Sequence, residues 1–253
     1  MRAFGVVLCA ASALLLLPAA APRSGASAAE PAAKQIVIVT GQDVIYHNWK
    51  KSAPVLKAEL AKDRRLAVTV VEDLKFLDSP DLKHFDAVVM HFRNTSDRAG
   101  MKEYQNLEKF VRAGGGLMVV HWACAAFENI PDFVKLAGRV CNRKLHIHDP
   151  RRVFRVDIAD REHPITKGLA PFETDDELYT CLDGTPSIHV LATAVSKVDN
   201  KPHPMAFILE YGKGRVFHTP LGHDARAIAT KGTSELFRRG AAWIVHLDPA
   251  AAQ

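Results

Sequence analysis

The feature that most limits how this chain can fold is a series of short apolar segments with almost no polar alternation. Gln35–Thr40 reads QIVIVT, Leu66–Val71 LAVTVV, Asp86–His91 DAVVMH and Gly114–His121 GGGLMVVH. Segments this short, apolar on both sides and rich in branched residues, suit strands buried on both faces. Helical patterns lie between them. Lys50 to Lys62 carries Val55, Leu56 and Leu60 on one stripe, and Met101 to Arg112 sets Tyr104, Leu107, Phe110 and Val111 at helical spacing. The alternation predicts an α/β fold with a doubly wound, mostly parallel sheet and helices on both faces. The loop after the first strand, Gly41-Gln42-Asp43, lacks GxGxxG, and no Walker lysine motif follows, so a nucleotide site loses its usual support.

Beyond Leu136 the texture changes. A basic loop, GRVCNRKLHIHDP, leads to an alternating edge strand at Arg152–Ile158, and Asp175-Asp176-Glu177 reads as an acidic turn. Strands are expected at Ser187–Ala194, Met205–Glu210 and Arg215–Thr219, the last two joined by a hairpin through Gly212-Lys213-Gly214. A final helix is expected from Ser234 to His246.

The first residues have another texture. Met1-Arg2 is a positive start, Phe4 to Leu17 is apolar, and Ala26-Ser27-Ala28-Ala29-Glu30 offers a small-residue cleavage site, with an earlier cut after Ala21 also open. This reads as a secretory signal peptide over 1–29, then a lead-in (30–34), one domain (35–248) and a tail (249–253). The apolar run is short for a membrane span, and the expected location is periplasmic or secreted. Loss of Arg2 and Arg23 with the leader would lower the formal charge from +5 to +3. The arginine pairs at 64–65, 151–152 and 238–239 are scattered without an aromatic platform, which speaks against a nucleic-acid partner. Cys124, Cys141 and Cys181 remain, an odd number, so at least one thiol is unpaired or bridges two chains.

Ligands of an open parallel sheet sit at its carboxyl edge. His47 follows the first strand, His121 ends the fourth and His223 follows the last, while Glu177 stands beside Leu178 and Tyr179. These four, His47, His121, Glu177 and His223, are the expected acid–base groups. Trp49, Trp122, Asp176 and Tyr179 are the expected substrate contacts. His146-x-His148 has a chelating spacing that His121 could complete, so the expected cofactor is at most a divalent metal such as zinc. Cys124 occupies a strand-to-helix junction, but Trp122-Ala123 and Ala125-Ala126 flank it where a strained nucleophile elbow has glycines. It reads as a buried, unreactive thiol. His84, His91, His189, His203, His218 and His246 read as structural.

GGGLMVVHWA, the GR…HIH loop, HPITKGL, DDELY and GKGRVFHTPLGHD occur here in the order found in ThuA-like proteins, named for trehalose utilisation. The resemblance spans about Gln35 to Leu247. It implies a flavodoxin-like sandwich of the class I glutamine amidotransferase type without the catalytic cysteine, so glutamine amidotransferase activity is not expected. It places a polar pocket on His47, His121, His146 or His148, Glu177 and His223. It also implies a part in bacterial sugar catabolism, including routes through 3-keto-disaccharides. The expectation is therefore an exported carbohydrate lyase, isomerase or hydrolase using His/Glu chemistry on a small sugar. A non-catalytic carbohydrate-binding module is the alternative, and the oligomeric state is left open.

Overall fold

In chain order the first half comprises β1 (Lys34–Val39), α1 (Trp49–Leu60), β2 (Leu66–Val71), β3 (Ala87–Met90), α2 (Met101–Arg112), β4 (Gly116–Val120) and α3 (Phe133–Ala137). Then follow β5 (Val140–Cys141), β6 (Arg152–Ile158), β7 (Phe172–Asp176), β8 (Leu182–Asp183), β9 (His189–Val195), β10 (Pro202–Tyr211), β11 (Gly214–Thr219), α4 (Ala225–Ala229) and α5 (Lys231–Ile244). This is a computed structural model; residues 1, 5, 32–42, 45–94 and 99–252 are described. The segment read as a signal peptide lies outside them apart from Met1 and Gly5. Ala32–Gln253 forms one unit. No helix among the described residues is long and apolar enough to cross a membrane.

The large sheet runs β2-β1-β3-β4-β11-β10-β9-β6-β7. Its first five strands are parallel to one another, and every later pairing is antiparallel. The sheet is therefore mixed, whereas the sequence led us to expect a mostly parallel one. Of the strands that make the difference, β6 and β7 alternate between buried and more exposed positions. Because directions alternate from β10 to β7, β7 again runs with the parallel block. Its carboxyl end reaches the same edge as those of β1, β4 and β11.

The apolar strands divide their side chains between two cores. Ile36 and Ile38 face Leu56 and Leu60 of α1 and Leu236 and Phe237 of α5. Val37 and Val39 face Leu107 and Val111 of α2 and Phe133 and Leu136 of α3. Short 3₁₀ turns follow two of the strands: Leu74–Asp78 with Pro80–His84 after β2, and His121–Ala125, which holds Cys124, after β4. The β10–β11 hairpin forms as expected. Gly212 adopts φ +61°, and a Cβ there would lie 2.6 Å from the Arg112 carbonyl oxygen. Asp175 and Asp176 are not a turn; they complete β7. The segment read as a frayed tail makes a 3₁₀ turn at Pro249–Ala251 and buries Pro249 and Ala252.

Candidate functional site at the carboxyl edge of the sheet

Strand β4 delivers His121 fully buried and in the left-handed backbone region, φ +51°. That conformation is uncommon outside glycine, asparagine, aspartate and histidine, and such strain concentrates at functional positions. The bend turns the ring across the strand ends. His121 Nδ1 lies 2.6 Å from the Pro220 carbonyl oxygen, just past β11. A carbonyl only accepts, so Nδ1 carries a proton, and Nε2 is the ring nitrogen that faces the pocket.

Three other segments converge on that nitrogen. His47 Nε2, from the loop after β1, lies 3.2 Å away, and Glu177 Oε2, just after β7, lies 3.4 Å away. The Tyr179 hydroxyl donates to it at 3.2 Å. His223 Nδ1, past β11, lies 3.1 Å from Glu177 Oε2 but out of line for a hydrogen bond. Among the described residues, His47, His121, Glu177 and His223 form a group whose potential ligand atoms all lie within 4.8 Å of one another. His47 Nδ1 and His223 Nδ1 are both buried without a hydrogen-bond partner. Trp122 packs on the His47 ring with centroids 4.1 Å apart.

A buried carboxylate holds two of these groups in place. Asp176 accepts backbone N–H donors from Gly222 at 2.7 Å, His223 at 3.1 Å and Glu177 at 2.8 Å. The end of β7 is thereby tied to the loop after β11. Burial pushes the Asp176 carboxyl above its ordinary value, against the pull of His121 and those three donors. Burial would also raise Glu177, but the imidazoles of His121 and His223 outweigh it and hold that carboxyl well below the usual range. His47 is lowered to about 2 by burial, with His121 and His223 adding repulsion, so its ring is neutral at ordinary pH.

A model of the trehalose-utilisation family, ThuA, matches residues 35–244. The chain belongs to the ThuA family. A ThuA-like protein from Parabacteroides merdae superposes with a TM-score of 0.74 at 26% identity, covering 84% of this chain and 90% of that one. A second, from Bacteroides uniformis, gives 0.68 at 20% identity over 89% and 98%. A β-galactosidase from Rahnella sp. R3 shares the fold at TM-score 0.59 and 16% identity, over 85% of this chain and 31% of the enzyme. No curated protein matches the sequence. Membership of ThuA associates the chain with sugar catabolism.

Some expected site residues occupy other positions in this ThuA-family chain. His146 is exposed and outside the cluster, so the HxH pair does not act as one chelating unit. His148 alone approaches, its Nε2 3.7 Å from Glu177 Oε1 and its ring stacked on Tyr179. Asp176, expected to touch substrate, has no exposed surface and gives its oxygens to backbone N–H groups. Trp122 is buried beneath His47, and Trp49 is half-buried at the start of α1 with the Lys50 ammonium 5.6 Å from its ring. The three thiols are unbridged; Cys141 Sγ lies beside Cys181 Sγ at 2.7 Å and also contacts Cys124. Contact with Cys141 and burial push the Cys124 thiol well above its ordinary value, which leaves it no nucleophilic thiolate.

Sequence reasoning passed over Arg93 and Cys141. With His47, Trp122, Arg143 and Tyr179 they line a small cavity of about 50 Å³ against the cluster. Arg93 lies in the segment just past β3, at the same edge, so the strand-end rule could have found it. A larger cavity, about 490 Å³, is lined by Pro80, Asp86, Asn106 and Gly115 at the opposite end of the strands. It holds no convergent set of acid–base groups, and chemistry rather than volume places the site at the carboxyl edge.

Proposed function

We propose that the protein is an exported enzyme of sugar catabolism that acts on a disaccharide or keto-sugar derivative by acid–base chemistry at the His47, His121, Glu177 and His223 cluster. The observation that carries this reading is His121 Nε2 facing the Glu177 carboxylate at 3.4 Å with the Tyr179 hydroxyl at 3.2 Å. A carbonyl at the 3-position of a sugar acidifies the neighbouring C–H. A base at the cluster takes that proton, the C–H electron pair forms the new C=C bond, and the glycosidic C–O bond breaks. Tyr179 or His148, beside the cluster, returns a proton to the departing oxygen. No strong nucleophile is needed, in keeping with the buried, protonated Cys124. The sugar-catabolism association of the family supports the substrate class, and the apolar leader with its A-x-A site supports export.

The test uses a 3-keto-disaccharide followed by chromatography. The wild-type chain should convert it. His121→Asn, whose side chain tolerates the left-handed backbone, should lower turnover by about 10²–10⁴-fold with the fold retained. Equal turnover by the two proteins would remove His121 from the mechanism. N-terminal sequencing of protein recovered from the periplasm or medium checks export; an intact Met1 there, or no protein there at all, would refute it.

A further inference from the structure

We infer that His47, His121, Glu177 and His223 together bind one divalent transition-metal ion at the carboxyl edge of the sheet. Four ligands around one ion at about 2.0–2.1 Å in a tetrahedron lie about 3.3–3.4 Å from one another. The separations between neighbouring donor atoms fall close to that edge: 3.2 Å between His47 and His121, 3.4 Å between His121 and Glu177, and 3.1 Å between Glu177 and His223. No pair in the group exceeds 4.8 Å, near the roughly 4.2 Å spanned by two ligands on opposite sides of one ion. The donors close on a shared point more than on each other. His223 Nδ1 sits 3.1 Å from a carboxylate oxygen without the alignment of a hydrogen bond.

Hydrogen-bond direction gives a second, independent argument. The Pro220 carbonyl fixes the proton of His121 on Nδ1, the outer-shell arrangement that orients metal-binding histidines. Its Nε2 and the Glu177 carboxylate oxygen then face one shared point from 3.4 Å apart, as two ligands of a single ion do. Three imidazole nitrogens and one carboxylate suit zinc, iron, manganese, cobalt or nickel. Calcium and magnesium prefer all-oxygen sets. Asp176 completes the support, since it fixes the backbone of two of the four ligands. The ion would polarise a keto or hydroxyl oxygen, and Tyr179 and His148 would remain beside it to handle protons.

This inference concerns the same cluster as the sugar reading, but metal binding can be measured without any sugar. The full chain is purified, stripped with a chelator and titrated with Zn²⁺, Mn²⁺ and Mg²⁺ by calorimetry, and elemental analysis is run on protein that was never stripped. The expected result is one transition-metal ion per chain and Zn²⁺ preferred over Mg²⁺. His223→Gln and Glu177→Gln, each with wild-type circular dichroism, should bind at least about 100-fold more weakly, beyond the 10–100-fold typical of losing an outer-shell partner. His146→Ala, outside the cluster, should bind as the wild type does. Absence of one-to-one binding in the wild type, or undiminished binding in both ligand variants, overturns the inference. Absence of one-to-one binding together with full keto-sugar turnover overturns it and leaves the sugar reading standing. One-to-one binding without turnover upholds the ion and refutes the sugar reading.

Discussion

The two halves of the large sheet do different work. In the parallel block (β2, β1, β3, β4 and β11) most side chains of β1, β3, β4 and β11 are buried in one of two cores, and His47, His121 and His223 follow β1, β4 and β11. In the antiparallel block (β10, β9, β6 and β7) polar residues are interleaved, and the block contributes carboxylates, with Asp176 and Glu177 at the end of β7. The parallel block alone would leave His47, His121 and His223 without an acid among them. The antiparallel block turns a scaffold edge into a site, because its alternating directions return β7 to that edge.

The division of labour can be broken from either side. A large effect confined to stability is expected from the parallel block. Phe217→Ala in β11 empties a fully buried position against the helix that carries Gly240 and should cost about 3–5 kcal/mol in urea unfolding, with little change in turnover per folded molecule. Asp176→Ala in the antiparallel block strands three backbone N–H groups, at about 1–3 kcal/mol for each that finds no water. It should also lower turnover per folded molecule, since Glu177 and His223 lose their tether; stability loss alone would show that Asp176 does not position them.

A smaller effect sharpens the comparison at the seam. Arg151 bridges Asp175 of β7, at 3.3 Å, and Asp224 ahead of α4, at 2.8 Å. Burial would raise Asp224, but Arg151 and the backbone N–H groups of Ala227 and Arg226 bring its carboxyl down to about 2. Its folded value lies below the unfolded one near 3.9, so its contribution is complete above about pH 4 and is lost as pH falls toward 2. Asp224 is about one-third exposed, and solvent screening keeps the contribution below about 1 kcal/mol. Melting curves at pH 5 and pH 2.5 should therefore converge slightly for Asp224→Asn relative to the wild type; an unchanged difference would show that the bridge adds nothing. The smallest effect belongs to His146→Ala, expected within about 0.5 kcal/mol of wild type in urea unfolding.

The parallel block was legible because double-sided burial writes itself into sequence: Ile36 to Val39 and Leu117 to Val120 admit few alternatives. The strand-end rule then found His47, His121 and His223. Strand β7 was not legible. Its inward positions are Thr174 and Asp176, so the face that packs is polar and the alternation that marks a strand is cancelled. The partners that satisfy Asp176 lie 46 and 47 residues away, and no local pattern encodes them. The HxH spacing misled for a related reason. His148 pairs with Tyr179 in an isolated bridge, which brings it to Glu177, while His146 falls on the exposed side of the loop.

The hydrogen bond from His121 to Pro220 closes a loop of 99 residues, because β4 and β11 are neighbours in the sheet and far apart in the chain. Everything from α3 to β10 is threaded between them. Contacts of such long range form slowly, since the entropy of closing the loop is lost before the pairing compensates for it. A chain still being synthesised has no Pro220 to fix the His121 ring and no His223 to complete the cluster. The site is thus a marker of finished folding, and occupancy of the cluster reports that the last parallel strand has docked.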